Sequence, residues 1–416
     1  MEKFEFLTVE TEIANRKISA KCSGALAPVA QPLLDYLVKV LNSLKVIATK
    51  DGKNIYNLYN PPQVTKAGLR ALERKIKEKL FGMVFPATAN LAVTSLCQCS
   101  CVHCSADLFK NREKKDLSTE EFKRVIDSAL QLGSSLIIFV GGEPLLNKDI
   151  YELLRYVDKD RAIVSIFTNG QLLTEENVKR LADCGLHCLY LSIDSINAET
   201  HNKLRGVKNL FQTGVEGASR AREYGIFTGI STYATGETLK NGDVEKLLQF
   251  AQEQGFHEVT IFDCIPSGKY LKETQMMLTP EEKRTLSTLA KKYHNSSHPM
   301  GVMAQCIVNS PEGAGCFGAF TQFYMTAYGD VNPCDFNPIS FGNVREMPLE
   351  AIWKKMITHP DFSYRHQTCR MQTPAYRAKY IDRLPDDVRL PVPIERYDNQ
   401  PPIPRAELSP RITVHD

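Results

Sequence analysis

Residues 97 to 104 read CQCSCVHC and put Cys97, Cys99, Cys101 and Cys104 on one short loop. Thiolates packed this closely bind iron–sulfur clusters or zinc, or act as a redox pair. A four-cysteine zinc site is poorly served by the spacing, because zinc ribbons and fingers draw ligand pairs from separated segments. A redox pair at Cys101 and Cys104 leaves Cys97 without a task. A second group, Cys306, Cys316, Cys334 and Cys369, lies far downstream.

Composition decides which chemistry these thiols can have. The chain has 416 residues, 43% hydrophobic and 24% charged, with a net charge of +3, as expected of a globular protein with more than one domain. The near-neutral charge gives no reason to expect a nucleic-acid partner. The first residues, MEKFEFLTVETE, are acidic and lack an apolar signal core, and no apolar run reaches the length of a membrane span. A cytoplasmic location is therefore expected. In that compartment the 12 cysteines point to metal binding or catalysis rather than disulfides.

The elements that must hold the first loop follow from periodicity. Between 88 and 296, ANLAVTS, SLIIFVGG, AIVSIFTNG, LHCLYLSID, FTGISTYA and EVTIFDCIPSG are short apolar runs separated by helical stretches. Ser118 with Glu121, and Thr279-Pro280 with Glu282, predict capping boxes. Gly133, Gly185, Gly225 and Gly255 predict helix stops. This alternation predicts a parallel sheet buried on both faces, closed into a full or partial barrel or left open. Ligand chemistry in such folds sits at the C-terminal ends of the strands, and CQCSCVHC follows the first strand. Cys184 and Cys188, flanking a strand start, and Cys264, inside a strand, read as buried structural thiols.

Outside the repeat, residues 33–44 predict a helix and Asp51-Gly52 a hairpin. KAGLRALERKIKEKLFG predicts an amphipathic helix whose charges form a solvated face. Residues 300 to 370 show little periodicity. The prolines from Pro374 to Pro410 predict an extended tail, draped over the protein or disordered.

Cys97, Cys101 and Cys104 give C-x3-C-x2-C, and here the sequence resembles the radical S-adenosylmethionine (radical SAM) enzymes. His103 fills a place that is typically aromatic in that family. The resemblance implies a [4Fe–4S] cluster on these three cysteines, with one iron open to the amino and carboxylate groups of S-adenosylmethionine (SAM). An open position makes a metal site catalytic rather than structural. Cys99 is then a loop residue that does not ligate, with a substitute ligand as the alternative.

Further landmarks of the family stand at successive strand ends. Gly141-Gly142-Glu143-Pro144 would line the SAM amino group, its glycines letting backbone approach the ligand. Thr168-Asn169-Gly170 follows the third strand. Ser192 and Asp194 end the fourth and could contact SAM. Arg205 matches an arginine that pairs with the SAM carboxylate. Ser231 and Thr232 would meet the ribose, and Pro266-Ser267-Gly268 lies near the adenine position. Each alone is equally an ordinary turn or strand end; their order carries the resemblance, over residues 88 to 296.

Cys316, Gly329 and Cys334 give C-x12-G-x4-C, which looks like the start of the SPASM or twitch extension of many radical SAM enzymes. That resemblance implies one auxiliary [4Fe–4S] cluster on Cys316, Cys334 and Cys369, with Cys306 as the candidate fourth ligand. A zinc site on the same residues is the alternative. The central C-x2-C-x5-C-x3-C of a full SPASM domain is missing, so a second auxiliary cluster is not expected.

The expected architecture is α/β: a partial (β/α)6 TIM-like barrel at 87–298 between a small α+β region and an iron–sulfur extension. The α+β region, 1–86, is suited to substrate recognition; the SPASM/twitch-like extension spans 299–372; a proline-rich tail spans 373–416. The expected activity is reductive cleavage of SAM to a 5′-deoxyadenosyl radical, which abstracts hydrogen from a substrate. The product would be an oxidatively modified peptide or small biosynthetic intermediate. A flavodoxin- or ferredoxin-type protein would supply electrons. The rival reading, a non-catalytic iron–sulfur or zinc protein for electron transfer or partner binding, explains the cysteines but not GGEP, TNG and Arg205.

Overall fold

The computed structural model describes residues 2–3, 8–14, 17–111, 113–310 and 313–408; Pro410 and its neighbours lie outside the described residues. Near the N-terminus, Glu2–Lys3 (β1), Thr8–Ala14 (β2) and Lys17–Ser23 (β3) form an antiparallel sheet. It adds to the helices and hairpin expected of this region. Helix α1 (Ala27–Ser43) begins earlier than the expected 33–44, because Pro28 sits in its first turn, where a missing N–H does no harm. The hairpin β4 (Ala48–Lys50) and β5 (Lys53–Ile55) turns at Asp51-Gly52, both at positive φ. Helix α2 (Lys66–Phe81) corrects one expectation. Its Glu73 and Arg74 are buried, and Arg74 Nη1 donates to the Gly133 carbonyl at 3.0 Å and to Ser135 Oγ at 2.9 Å.

The barrel follows in βα order: β6 (Thr88–Ala92), α3 (Thr119–Gln131), β7 (Leu136–Val140), α4 (Ile150–Tyr156), β8 (Ile163–Thr168), α5 (Glu175–Asp183) and β9 (Cys188–Ser192). Then come α6 (Ala198–Arg205), α7 (Leu210–Glu223), β10 (Phe227–Ala234), α8 (Gly236–Lys240), α9 (Asp243–Glu253), β11 (Glu258–Asp263) and α10 (Pro280–His294). Both expected capping boxes are formed, at Ser118 and Thr279, and the four expected glycine stops all have positive φ. Strands β6 to β11 pair in sequence order, all parallel, with side chains buried on both faces.

The sheet extends beyond these strands at both edges. After residue 298, β12 (Gly301–Ala304) pairs parallel to β11. Past a short helix α11 (Gln305–Val308), β13 (Gln322–Met325) pairs parallel to β6, and β14 (Val331–Asn332) pairs antiparallel to β13. The result is one open, nine-stranded sheet in the order β12-β11-β10-β9-β8-β7-β6-β13-β14, a partial barrel. Despite its weak periodicity, the segment from 300 to 370 contributes Met300, Phe323, Met325, Ile352 and Phe362 to the barrel's core.

The tail is not simply extended. After β15 (Ile339–Ser340) and α12 (Leu349–Thr358), Pro374–Tyr380 forms α13 and Val392–Pro393 forms β16, which pairs with β15. Tyr376 and Tyr380 are buried beside Phe362, and the buried Tyr397 packs on Tyr380. Pro374 begins α13, the position where proline suits a helix. No helix among the described residues is long and apolar enough to cross a membrane.

Candidate active site

The cysteine loop leaves the C-terminal end of β6 and is held on three sides. The Gly142 and Glu143 amides donate to the carbonyls of Thr94 and Leu96 at 2.8 and 2.7 Å. The Ser100 and Val102 amides donate to the carbonyls of Arg205 and Leu204, at the end of α6, at 3.0 and 3.1 Å. Lys269 Nζ donates to the Cys101 carbonyl at 2.9 Å. The glycines of GGEP serve this fit. A Cβ at Gly141 would stand 2.4 Å from the Thr94 oxygen, and one at Gly142 would stand 2.0 Å from the Leu96 oxygen. Their missing side chains let backbone approach the cysteine loop itself.

Cys99 stands between two expected ligands. Its amide donates to Cys97 Sγ at 3.4 Å, and its thiol is in hydrogen-bond range of both Cys97 and Cys101. That donated thiol proton draws the Cys97 and Cys101 thiols below their usual range, with Arg205 adding positive charge nearby, while Cys99 is pushed up. Burial pushes the Cys104 thiol up. Cys101, His103 and Cys104 all line one cavity. Thiols biased toward thiolate beside a guanidinium fit an iron–sulfur cluster, whose ligands are thiolates.

The remaining landmarks meet around that cavity, which has a volume of about 750 Å³. Gly141, Gly142, Thr168, Asn169, Ser192, Asp194, Arg205, Ser231, Thr232 and Ser267 line it; Glu143, Pro144 and Pro266 do not. The buried Glu143 carboxylate is turned away to the next strand end. It accepts from Thr168 Oγ1 at 2.8 Å, the Asn169 amide at 2.8 Å and the Leu145 amide at 3.2 Å. Burial nevertheless raises it to about 7. Arg205 is buried, not a surface residue. Its Nε and Nη2 donate to both Asp194 oxygens at 2.7 and 2.8 Å. His103 Nε2 lies 3.5 Å from Asp194 Oδ1, and its ring packs on Tyr233 with centroids 4.5 Å apart. The expected SAM contacts Asp194 and Arg205 are thus fastened to each other.

The second cysteine group reaches the same cavity from the other side. Cys316, Cys334 and Cys369 line it and act electrostatically on one another. All three thiols face one shared space. Cys306 does not line the cavity; its Sγ faces the Lys283 carbonyl at 3.7 Å, and Asp263 and Lys283 lie near both it and Cys369. Cys184 and Cys188 are buried as expected. Cys264 lies just past the end of β11, not inside it, and lines the cavity.

Sequence reasoning missed Tyr233, Lys269, Asp263 and Asp335. Asp263 ends the run EVTIFD, so an acidic residue at a strand's C-terminal end was the available signal. Asp335, in the cavity beside Cys334, is raised to about 6 by burial.

An open parallel barrel with a cysteine loop at its first strand end and a cysteine-bearing extension across its mouth defines a class of iron–sulfur enzyme. The chain matches the radical SAM superfamily model over residues 91–251 and the SPASM iron-sulfur cluster-binding domain over 316–372. It belongs to the radical SAM superfamily, is an enzyme, and carries a C-terminal SPASM domain; SAM and iron–sulfur clusters are its cofactors. It is similar to an AdoMet-dependent heme synthase of Methanosarcina barkeri, 29% identical over 63% of this chain and 80% of that one. It is also similar to a PqqA peptide cyclase of Rhizobium meliloti, 26% identical over 65% and 74%. Its fold resembles Streptococcus suis SuiB bound to S-adenosylmethionine, with a TM-score of 0.55, 19% identity and coverage of 69% and 70%.

Proposed function

We propose that this enzyme oxidatively modifies a substrate held in the cavity between its two cysteine groups. The observation that carries the reading is that one cavity is lined by Cys101 and Cys104 on one side and by Cys316, Cys334 and Cys369 on the other. When bound, SAM and the cluster on Cys97, Cys101 and Cys104 supply hydrogen-atom abstraction. The chain orients and encloses. Backbone at Gly141 and Gly142 and the side chains of Thr168, Asn169, Ser192 and Thr232, all lining the cavity, would hold SAM. The Asp194–Arg205 pair fixes the cysteine loop and holds His103 in place. Glu143 ties the second strand end to the third. In the extension over residues 299–372, Cys316, Cys334 and Cys369 would hold one auxiliary cluster, which would supply electron-transfer chemistry there.

Two substrate classes are supported, a tetrapyrrole by the heme synthase relatives and a peptide by the peptide cyclase relatives. The region 1–86 discriminates between them: recognition of a peptide there would favour the peptide. A flavodoxin- or ferredoxin-type donor and a cytoplasmic setting complete the reading. The test is anaerobic reconstitution with iron and sulfide, reduction with dithionite, and assay of SAM turnover. The expected result is 5′-deoxyadenosine and methionine in equal amounts, abolished by Cys101→Ala. Intact SAM after reduction of fully loaded protein overturns the reading.

A further inference from the structure

Asp263 ends β11 and is 2% exposed, yet it lines the cavity between the cysteine groups. Its Oδ2 accepts from Gln372 Nε2 at 2.9 Å and lies 3.5 Å from Lys283 Nζ; its Oδ1 has no hydrogen-bond partner. Lys283 Nζ donates to Gln372 Oε1 at 2.9 Å, and Gln372 Nε2 also donates to the Cys264 carbonyl at 3.2 Å. The Gln372 amide in turn donates to the Cys369 carbonyl at 3.1 Å. A carboxylate from the barrel, an ammonium from α10 and an amide from the extension thus close a ring against the turn that carries Cys369.

A negative charge beside an iron–sulfur cluster opposes the arrival of an electron, and a positive charge favours it. Burial strengthens both effects because the local dielectric is low. Asp263 is almost fully buried, whereas the Lys283 side chain is 34% exposed and therefore better screened. The balance at this spot is negative.

We propose that Asp263 and Lys283 set the reduction potential of the auxiliary cluster, with Asp263 holding it low, Lys283 offsetting part of that effect, and Gln372 positioning both against Cys369. This rests on the reading that Cys316, Cys334 and Cys369 bind that cluster. No bond is made or broken at Asp263. Its charge decides how readily one electron enters or leaves the cluster while a substrate is being oxidised.

The experiment isolates the auxiliary site in a full-length background with Cys97, Cys101 and Cys104 all changed to alanine. After anaerobic reconstitution, iron is counted and the one-electron couple is titrated by electron paramagnetic resonance. Asp263→Asn is expected to favour the reduced form roughly tenfold, an upward shift of ~59 mV for one electron. Lys283→Met is expected to shift the couple downward, by less, and Asp263→Glu to stay near the parent. A merely structural role for Asp263 would alter iron content without opposite shifts in potential. Equal potentials in Asp263→Asn and parent, with iron retained, overturn the proposal. If Asp263→Asn fails to assemble, Lys283→Met decides, and an unmoved potential there overturns it. A background protein that binds no iron overturns the ligand reading first, and the iron count distinguishes that failure from the other.

Discussion

Glu143 shows how far residue letters carry. The sequence marks it as part of GGEP, but only the fold reveals that its carboxylate binds Thr168 and the Asn169 amide, across to the next strand. Such a pairing spans 25 residues and depends on two strand ends meeting, which no local pattern encodes. Burial holds its pKa in the folded protein at about 7, above the 4.5 of a free glutamate. For a raised carboxyl, its contribution to stability is fully present below the unfolded pKa and is lost as pH rises through the folded one. Stability of the metal-free protein is therefore expected to fall between about pH 4.5 and pH 7 from this group, by up to ~3 kcal/mol. Glu143→Gln should flatten that part of a urea-denaturation profile; an unchanged slope would show that the carboxyl titrates normally. Arg205 makes the complementary case. Arg205→Ala strands the buried Asp194 carboxylate and is expected to destabilise by about 3–5 kcal/mol. Arg205→Lys should not restore SAM binding measured by calorimetry, because an ammonium cannot span both Asp194 oxygens.

At the scale of elements, the six barrel strands were legible because each is a short apolar run, four of them follow a glycine stop, and two of the neighbouring helices open on a capping box. The edge strands β12 and β13 were not. They are four residues each, and their identity comes from pairing with β11 and with β6, the latter more than two hundred residues away. The tail was misread for a different reason. Its prolines suggest an extended chain, yet Tyr376 and Tyr380, four apart, mark one face of a helix. That face packs edge-on and tilted against Phe362, and the buried Asp361 fastens the tail by accepting from Tyr380 Oη, Lys379 Nζ and the Ile403 amide. Tyr380→Ala is expected to lower stability by about 3–5 kcal/mol, the range for emptying a large aromatic site. Tyr380→Phe, which removes only the hydroxyl from Asp361, should lower it by about 1–3 kcal/mol. Chemical denaturation of both variants checks this. Near-parent stability of Tyr380→Ala would mean that the tail is only draped on the surface.

At the scale of the molecule, the N-terminal region is built into the barrel floor. Lys45 Nζ donates to the carbonyls of His294, Ser296 and Met300, tying the start of the hairpin to the end of α10 and the entry to β12. The Leu58 amide donates to Glu258 Oε2 at 3.0 Å, and Tyr190 Oη donates to the other oxygen of the same buried carboxylate. Tyr59 packs on Tyr190 with ring centroids 5.2 Å apart. Ile47, Ile55 and Leu58 share one apolar cluster with Cys188, Tyr190 and Phe227 of β9 and β10. Residues 45–60 therefore close the barrel from below, opposite the mouth where the cysteines sit. This has a thermodynamic consequence. If the region from 1 to 86 were an independent unit, damage to it would melt that unit alone and leave the barrel's own transition in place. If it is the floor, the damage must appear in the barrel. Leu58, fully buried in the shared cluster, is the residue that separates these cases. Leu58→Ala removes its packing and leaves a cavity against Tyr190, a loss of about 2–5 kcal/mol. The expected calorimetric trace is a single transition at lower temperature, with iron lost from both cysteine groups as it proceeds. A new, separate low-temperature transition beside an unmoved barrel transition would show that the two regions unfold independently.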